Sequence, residues 1–147
     1  MTPAERLAQL EAGGNPLAVC RLRSGFVVMS ESQFLPGYVL FLASPLVGQL
    51  NDLTGVTRLE FLSDMARVGE AVMAATGCKR INYGIYGNVD PFLHVHVVPR
   101  YEWEETPYAS VPPLSIPDSI RSAEAHRFDK AKHGALQERL RVLLTGD

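Results

Sequence analysis

Short apolar runs separated by turn residues dominate the first hundred positions of this chain. Five such runs are read as strands, at residues 17–22, 25–29, 38–43, 80–86 and 92–100. The last two lie on either side of a segment rich in glycine, asparagine and proline, so we predict an antiparallel hairpin with a loop of about five residues, 87–91. The pattern therefore predicts an antiparallel sheet of about five strands.

The longest helical pattern covers residues 54–76. Asp52 or Thr54 can cap its start, and Gly77 can end it. Its apolar positions recur at helical spacing and predict one face packed on the sheet, made of Leu59, Leu62, Met65, Ala66, Gly69, Val72 and Met73.

Two shorter helices are predicted at residues 3–12 and 128–144, the second with an apolar side of Phe128, Leu136, Leu140, Leu143 and Leu144. Strands joined by hairpins, with helices inserted between them, indicate an α+β fold with the long helix on one face of the sheet. We expect a single domain over 1–147, with a core at about 17–101 and a C-terminal extension at 102–147. Its proline-rich start at 106–118 predicts a surface excursion.

Composition narrows the function classes. A net charge of −2 argues against a broad nucleic-acid-binding face. No run reaches the roughly 18 apolar residues of a membrane span, and the N-terminus has no apolar signal core. Cys20 and Cys78 lack metal-ligand spacing and are read as free thiols. We therefore expect a cytoplasmic enzyme or binding domain with no nucleic-acid or membrane partner.

Candidate chemistry centres on two histidines in an apolar strand. Side chains alternate along a strand, so His94 and His96 share one face while Leu93, Val95 and Val97 occupy the other. A neutral imidazole is a good nucleophile for phosphorus and can form a covalent intermediate. A second imidazole on the same face can donate to a phosphate oxygen or assist the leaving group.

Nearby polar groups could complete a phosphate site. The side chains of Asn82 and Asn88 are neutral donors, and backbone N–H groups of the Gly87-Asn88 turn offer the same function. Arg100 is predicted either to pair with a carboxylate or to reach a phosphate.

Two other interpretations of the histidine pair remain open at this point. The pair could be structural, with both rings hydrogen-bonded on a half-exposed sheet. It could also begin a metal site, since His-x-His on a strand converges, with further ligands from His126, His133 or Asp90. We predict no metal and no cofactor held by the protein, and we read His126 and His133 as surface residues.

In their order along the chain, five segments resemble the histidine triad superfamily, and within it the diadenosine polyphosphate hydrolase-like branch. They are residues 25–40, 51–54, 81–84, 87–88 and 94–100. The last is similar to the end of the signature His-φ-His-φ-His-φ-φ, where φ is apolar. Pro99-Arg100 sets the register, which makes His96 the third triad position and His94 the middle one. The alternative register makes His96 the nucleophile and Val98 the third member.

This resemblance implies residue roles. His94 would be the nucleophile, and Phe92, at the first triad position, would orient it through its backbone carbonyl. Tyr38 stands where the family usually has a histidine after Pro-Gly. Phe92 and Tyr38 would form an aromatic patch in place of two imidazoles, and Ser30 falls at the ribose-contacting position.

The resemblance also implies a homodimer with a joined sheet and a nucleotide substrate. The reaction would be hydrolysis at the α-phosphate of dinucleoside polyphosphates or nucleoside phosphoramidates through a nucleotidyl-histidine intermediate. Magnesium would enter only with a polyphosphate substrate. One alternative is a nucleotide-binding module with little turnover, because two family histidines are missing. The other is a nucleotidyltransferase or phosphorylase, with phosphate replacing water.

Overall fold

The computed structural model describes all 147 residues and contains one antiparallel sheet of five strands in the order β1-β2-β3-β5-β4. The strands are β1 Ala18–Leu22, β2 Gly25–Met29, β3 Val39–Ala43, β4 Arg80–Gly84 and β5 His94–Arg100. The helices are α1 Pro3–Glu11, α2 Gly55–Thr76, α3 Asp118–Arg121 and α4 Lys130–Thr145. The predicted α+β fold with an antiparallel sheet of five strands is confirmed.

The hairpin of β4 and β5 is antiparallel as predicted, but its loop is longer. It spans residues 85–93 instead of the predicted 87–91. Two backbone bonds explain the difference: the Phe92 N–H donates to the Asp90 carbonyl at 2.8 Å, and the Leu93 N–H donates to the Val47 carbonyl at 2.8 Å. Since these groups are satisfied outside the β4 ladder, regular pairing with β4 begins further along β5.

The main core lies between the sheet and α2. Leu93, Val95 and Val97 point into it from β5 and its approach, as the alternation predicts. From α2, Phe61 is fully buried and stacks on Phe41 of β3, with ring centroids 4.9 Å apart. This core holds β5 by one face and leaves its other face for the histidines.

The predicted inward face of α2 was partly wrong. Leu59 is 67% exposed and Met73 48%, while the buried positions include Phe61 and Asp64. Asp64 is inside because its carboxylate accepts hydrogen bonds from the Ser24 backbone N–H at 3.2 Å and hydroxyl at 2.7 Å. A buried acid breaks the apolar periodicity of α2. The sequence pattern therefore predicted an inward face that is rotated about the helix axis from the face that is actually buried.

The opposite face of the sheet, which carries the histidines, is bounded on two sides. On one side α1 packs through Leu7 and Leu10 against the sheet. On the other side the C-terminal extension packs Ile116 against residues that include Val98. None of the helices is long and apolar enough to cross a membrane.

Arg100, at the end of β5, fixes the extension to the sheet. Its guanidinium forms a buried ion pair with Glu104 at 2.9 Å and donates to the carbonyls of Val111 at 2.6 Å and Tyr108 at 2.9 Å. It also donates to Asn82 Oδ1 at 2.9 Å. Of the two roles predicted for Arg100, pairing with a carboxylate is therefore the one the structure shows, and the phosphate contact is wrong because the buried guanidinium is already engaged.

Helix α4 offers a matched test of the core. Leu140 is 1% exposed, whereas Leu143, predicted on the same apolar side, is 41% exposed. We expect Leu140→Ala to lower the free energy of unfolding by about 2–5 kcal/mol, because it removes buried methyl groups and leaves a cavity. Leu143→Ala should change it by less than about 1 kcal/mol. Urea unfolding measures both, and equal losses would contradict the packing described.

Candidate functional site

Four aromatic side chains form a row across the open face of the sheet. Phe92 stacks on His94 with centroids 4.6 Å apart, His94 lies 5.2 Å from His96, and His96 lies 6.0 Å from Tyr38. The predicted joint patch of Phe92 and Tyr38 is therefore wrong. The two rings belong to separate apolar clusters, and the imidazoles lie between them.

The orientation of His94 is fixed by a backbone carbonyl. Its Nδ1 lies 2.8 Å from the carbonyl oxygen of Phe92, and the side chain is buried. A carbonyl can only accept, so Nδ1 carries the hydrogen and donates it. In a neutral ring this leaves the Nε2 of His94 with a free lone pair, which is the form a nucleophile needs.

The ring of His96 is held by a side chain and not by a backbone carbonyl. The Tyr38 hydroxyl lies 2.6 Å from His96 Nδ1. Burial raises the pKa of Tyr38 to about 12, so the phenol keeps its proton and can donate to a bare Nδ1 or accept from Nδ1–H. Burial, and secondarily the neighbouring His94, lower the pKa of His96 to about 4. His96 is therefore neutral near pH 7. We assign the tautomer in which Nδ1 accepts from Tyr38 and Nε2–H is the free donor.

The loop between β4 and β5 contains Gly87 and Asn88 of the predicted phosphate site. Gly87 adopts a left-handed φ of 80°, and a Cβ built on it would lie 3.9 Å from the Phe92 carbonyl oxygen. Asn88 is exposed at the rim of the loop and makes no hydrogen bond within the chain. The backbone of this loop at Gly87 thus lies near the carbonyl that holds His94, while the Asn88 side chain is exposed at the rim.

Asn82 lies on β4 beside the same face. It lines a groove of about 640 Å³ together with His96, Gly84 and Arg100. Because Arg100 donates to Asn82 Oδ1, the amide is oriented with its NH₂ group left as the free donor. Arg100 therefore acts on the site through Asn82.

Ser30 lies beside a second cavity, of about 540 Å³, on the α1 side of the histidines. The apolar part of its lining includes Leu40 and Leu42, which pair across strands with His96 and His94 respectively. The cavity thus opens next to the imidazoles, and its size suits a nucleoside. The structure brings Ser30 to this cavity, not to the histidines themselves.

The other two histidines lie elsewhere. Nδ1 of His126 is 2.7 Å from the Ile120 carbonyl oxygen, and Nδ1 of His133 accepts the Asp129 backbone N–H at 2.9 Å. No group of three or more His, Cys, Asp or Glu side chains is placed to hold a metal ion. The alternative ligand set of the pair with His126, His133 and Asp90 is therefore wrong.

Two residues at the site escaped the sequence analysis. Tyr86 lies 5.9 Å from His96, in space that exists because residue 84 is glycine: a Cβ there would lie 2.6 Å from Tyr86 Cε2. Arg6 of α1 places its guanidinium carbon 5.8 Å from the centre of the Phe92 ring. Neither stands in a local motif, and only the tertiary fold brings them here.

Comparison with known proteins shows the fold of the histidine triad proteins. A histidine triad protein from Sinorhizobium meliloti superposes with a TM-score of 0.72 at 20% identity, covering 92% of this chain and 91% of that one. A hypothetical histidine triad nucleotide-binding protein from Sulfolobus tokodaii gives 0.69 at 14% identity, covering 95% and 90%. The resemblance predicted from the sequence is confirmed at the level of the fold.

The chain is also similar in sequence to a characterised type of enzyme. It is 29% identical over 85 residues to the asymmetrical bis(5'-nucleosyl)-tetraphosphatase of Schizosaccharomyces pombe. The match covers 54% of this chain and 46% of that protein, so the chain spans about half the length of the curated relative it matches. No protein-family profile matches the chain.

The tautomer assignment predicts an unusual titration. By NMR of the ring nitrogens, we expect His96 to titrate near a pKa of about 4, below the ordinary 6.5, because its charged form is desolvated. As the pH falls, the unfolded chain therefore binds a proton at residue 96 before the folded chain does. Stability should fall as the pH drops from about 6.5 towards 4, and should not depend on His96 above that range.

Tyr38→Phe is the matched control, since it keeps the ring and removes only the hydroxyl. The ring nitrogens of His96 should lose their fixed Nε2–H tautomer in this variant, while His94 keeps Nδ1–H. A wild-type His96 that titrates near 6.5, or carries its proton on Nδ1, would contradict the assignment.

Proposed function

We propose that this chain, which has the histidine triad fold, is a nucleotide hydrolase acting at the α-phosphate of dinucleoside polyphosphates or nucleoside phosphoramidates. One observation carries the proposal: the Phe92 carbonyl holds His94 Nδ1–H, which leaves Nε2 as a nucleophile. Similarity to a bis(5'-nucleosyl)-tetraphosphatase supports the substrate class. Phe92, although not a histidine, supplies the one group that this orientation needs.

In the first step, Nε2 of His94 attacks the α-phosphorus. The N–P bond forms, and the bond from phosphorus to the leaving group breaks, its electron pair going to the leaving group. The imidazole now carries a positive charge, which the Phe92 carbonyl stabilises through Nδ1–H. The Nε2–H of His96 and the NH₂ of Asn82 are the donors we assign to the phosphate oxygens, with the backbone of Gly87.

In the second step, water attacks the phosphorus of the nucleotidyl-histidine. The N–P bond breaks, its electron pair returns to Nε2, and a nucleoside monophosphate and a proton are released. The register with His94 as nucleophile is supported over the alternative, because the tautomer assigned to His96 leaves no lone pair on its Nε2 and Val98 is a buried aliphatic residue. No step uses a metal held by the protein; magnesium would arrive with a polyphosphate.

The nucleoside would occupy the cavity beside Ser30. Val28, Leu40 and Leu42 supply apolar surface for the base and sugar, and Ser30 adds a hydroxyl within the same lining. This arrangement, with an apolar cavity next to convergent polar groups, is typical of small-molecule sites.

We also assign the protein to the cytoplasm, since Cys20 and Cys78 are both free.

His94→Ala tests the nucleophile. Incubated with diadenosine tetraphosphate or adenosine phosphoramidate, it should release AMP more than about 10³-fold more slowly than the wild type. His96→Ala should lose about 10²-fold or more, as expected for a donor to the developing charge. His133→Ala, a histidine far from the site, is the control and should keep full activity.

Other outcomes would replace the proposal. Equal AMP release by wild type and His94→Ala would remove His94 as nucleophile. Tight nucleotide binding without release from either substrate would identify a binding module. Nucleoside diphosphate appearing only with added inorganic phosphate would identify a phosphorylase.

We also propose a homodimer joined at β4. This strand pairs with β5 on one side only, so its other edge has free backbone donors and acceptors. Exposed apolar side chains lie beside that edge: Tyr83 packs against Gly69 of α2, and Met73 is one turn further along the helix. A second copy would satisfy the edge and cover these residues.

Light scattering on the protein as it elutes from a size-exclusion column measures the mass of the assembly. The wild type should have twice the mass of one chain. The double variant Tyr83→Lys with Met73→Lys should be monomeric, because each lysine brings a charge into the joint. Val142→Lys, which changes an exposed residue of α4, should remain dimeric. A monomeric wild type would refute the proposed interface.

A further inference from the structure

We propose that Arg6, on helix α1, binds the phosphate that carries the nucleoside. This inference rests on the proposed function and deepens it.

The phenylalanine at position 92 has a structural role of its own. Its ring is buried in an apolar cluster with Leu7 and Leu10 of α1 and with Phe26 and Leu42 of the sheet. Phe92 therefore docks α1 against the site, which an imidazole would do less well.

Few other interactions fix the position of helix α1. Its start is closed by a capping box, in which Thr2 Oγ1 accepts the Glu5 N–H at 3.1 Å and Glu5 Oε2 accepts the Thr2 N–H at 2.7 Å. A helix of nine residues is marginal by itself in water, so its position depends on Leu7 and Leu10. The packing fixes which side of α1 meets the cavity.

Arg6 precedes Leu7 and lies on that side. Its guanidinium is 5.8 Å from the Phe92 ring centre, and the same ring stacks on His94 at 4.6 Å. The two groups thus share one aromatic neighbour, and Arg6 carries a permanent positive charge on the α1 side of that ring. Arg6 also lines the 540 Å³ cavity with Ser30, Leu40 and Leu42.

The guanidinium has donors to spare. Arg6 is half-buried and makes no side-chain hydrogen bond and no ion pair within the chain, unlike Arg100, whose donors are engaged. It is the only arginine or lysine side chain lining this cavity. A planar group with several N–H donors suits two oxygens of one phosphate. Between the nucleoside cavity and His94, that phosphate is the one attacked.

Binding of AMP and of adenosine, measured by calorimetry on the full chain, tests the assignment. The variant is Arg6→Met, which keeps the aliphatic stem against Phe92 and removes the charge. AMP binding should weaken about 10- to 100-fold, as expected for a lost charged hydrogen bond. Adenosine, which has no phosphate, should bind as before. Arg6→Lys should restore part of the AMP affinity.

Arg21→Met is the matched control. Arg21 also lies over a phenylalanine, Phe26 at 5.0 Å, but does not line the cavity, so both affinities should remain unchanged. If Arg6→Met weakens AMP and adenosine equally, or weakens neither, the phosphate contact is refuted. Equal circular dichroism and thermal midpoints for Arg6→Met and Arg6→Lys show that α1 is still in place.

The result separates this inference from the proposed reaction. Normal AMP release by the wild type with unchanged AMP affinity in Arg6→Met would refute only the role of Arg6. Affinity for AMP that depends on Arg6, without release from any substrate, would refute only the hydrolase. A wild type that neither binds AMP nor releases it from either substrate would refute both.

Discussion

The site depends on how strand β5 is held between two packed faces. Leu93, Val95 and Val97 are fully enclosed in the main core, so the residues between them must face the other side. A slip of one residue would place both imidazoles in the core and three aliphatic side chains in the site. The energy that fixes the positions of the two imidazoles thus comes mainly from apolar burial behind the sheet.

Given that register, two hydrogen bonds give the imidazoles different chemistry. A carbonyl facing His94 can only accept, whereas the phenol facing His96 keeps its proton at neutral pH and is assigned as the donor to Nδ1. With that assignment the rings adopt opposite tautomers, although they are neighbours on one strand. Phe92 and Tyr38 have different roles in this arrangement, because one ring is held by a backbone group and the other by a side-chain hydroxyl.

Phe92 and Tyr38 also have roles beyond the histidines. Phe92 joins an apolar cluster that seats α1, and Tyr38 joins a cluster that seats the C-terminal extension. Each of these two side chains therefore contacts a chain segment that bounds the open face of the sheet. Arg100 strengthens the second boundary through its buried pair with Glu104 and, in doing so, orients Asn82. The walls of the site and its polar groups are therefore coupled.

The sequence alone determined the five strands, the three longer helices and the shared face of His94 and His96, because these follow from local periodicity and turn residues; the short helix α3 was not predicted. It misjudged the inward face of α2, since the buried Asp64 is satisfied by Ser24, forty positions away. It underestimated the loop before β5, because a distant carbonyl at Val47 holds the chain there. Only the tertiary structure decided the two tautomers and brought Arg6 to the site. Each of these features depends on a partner that is remote in sequence, and local sequence patterns cannot predict such partners.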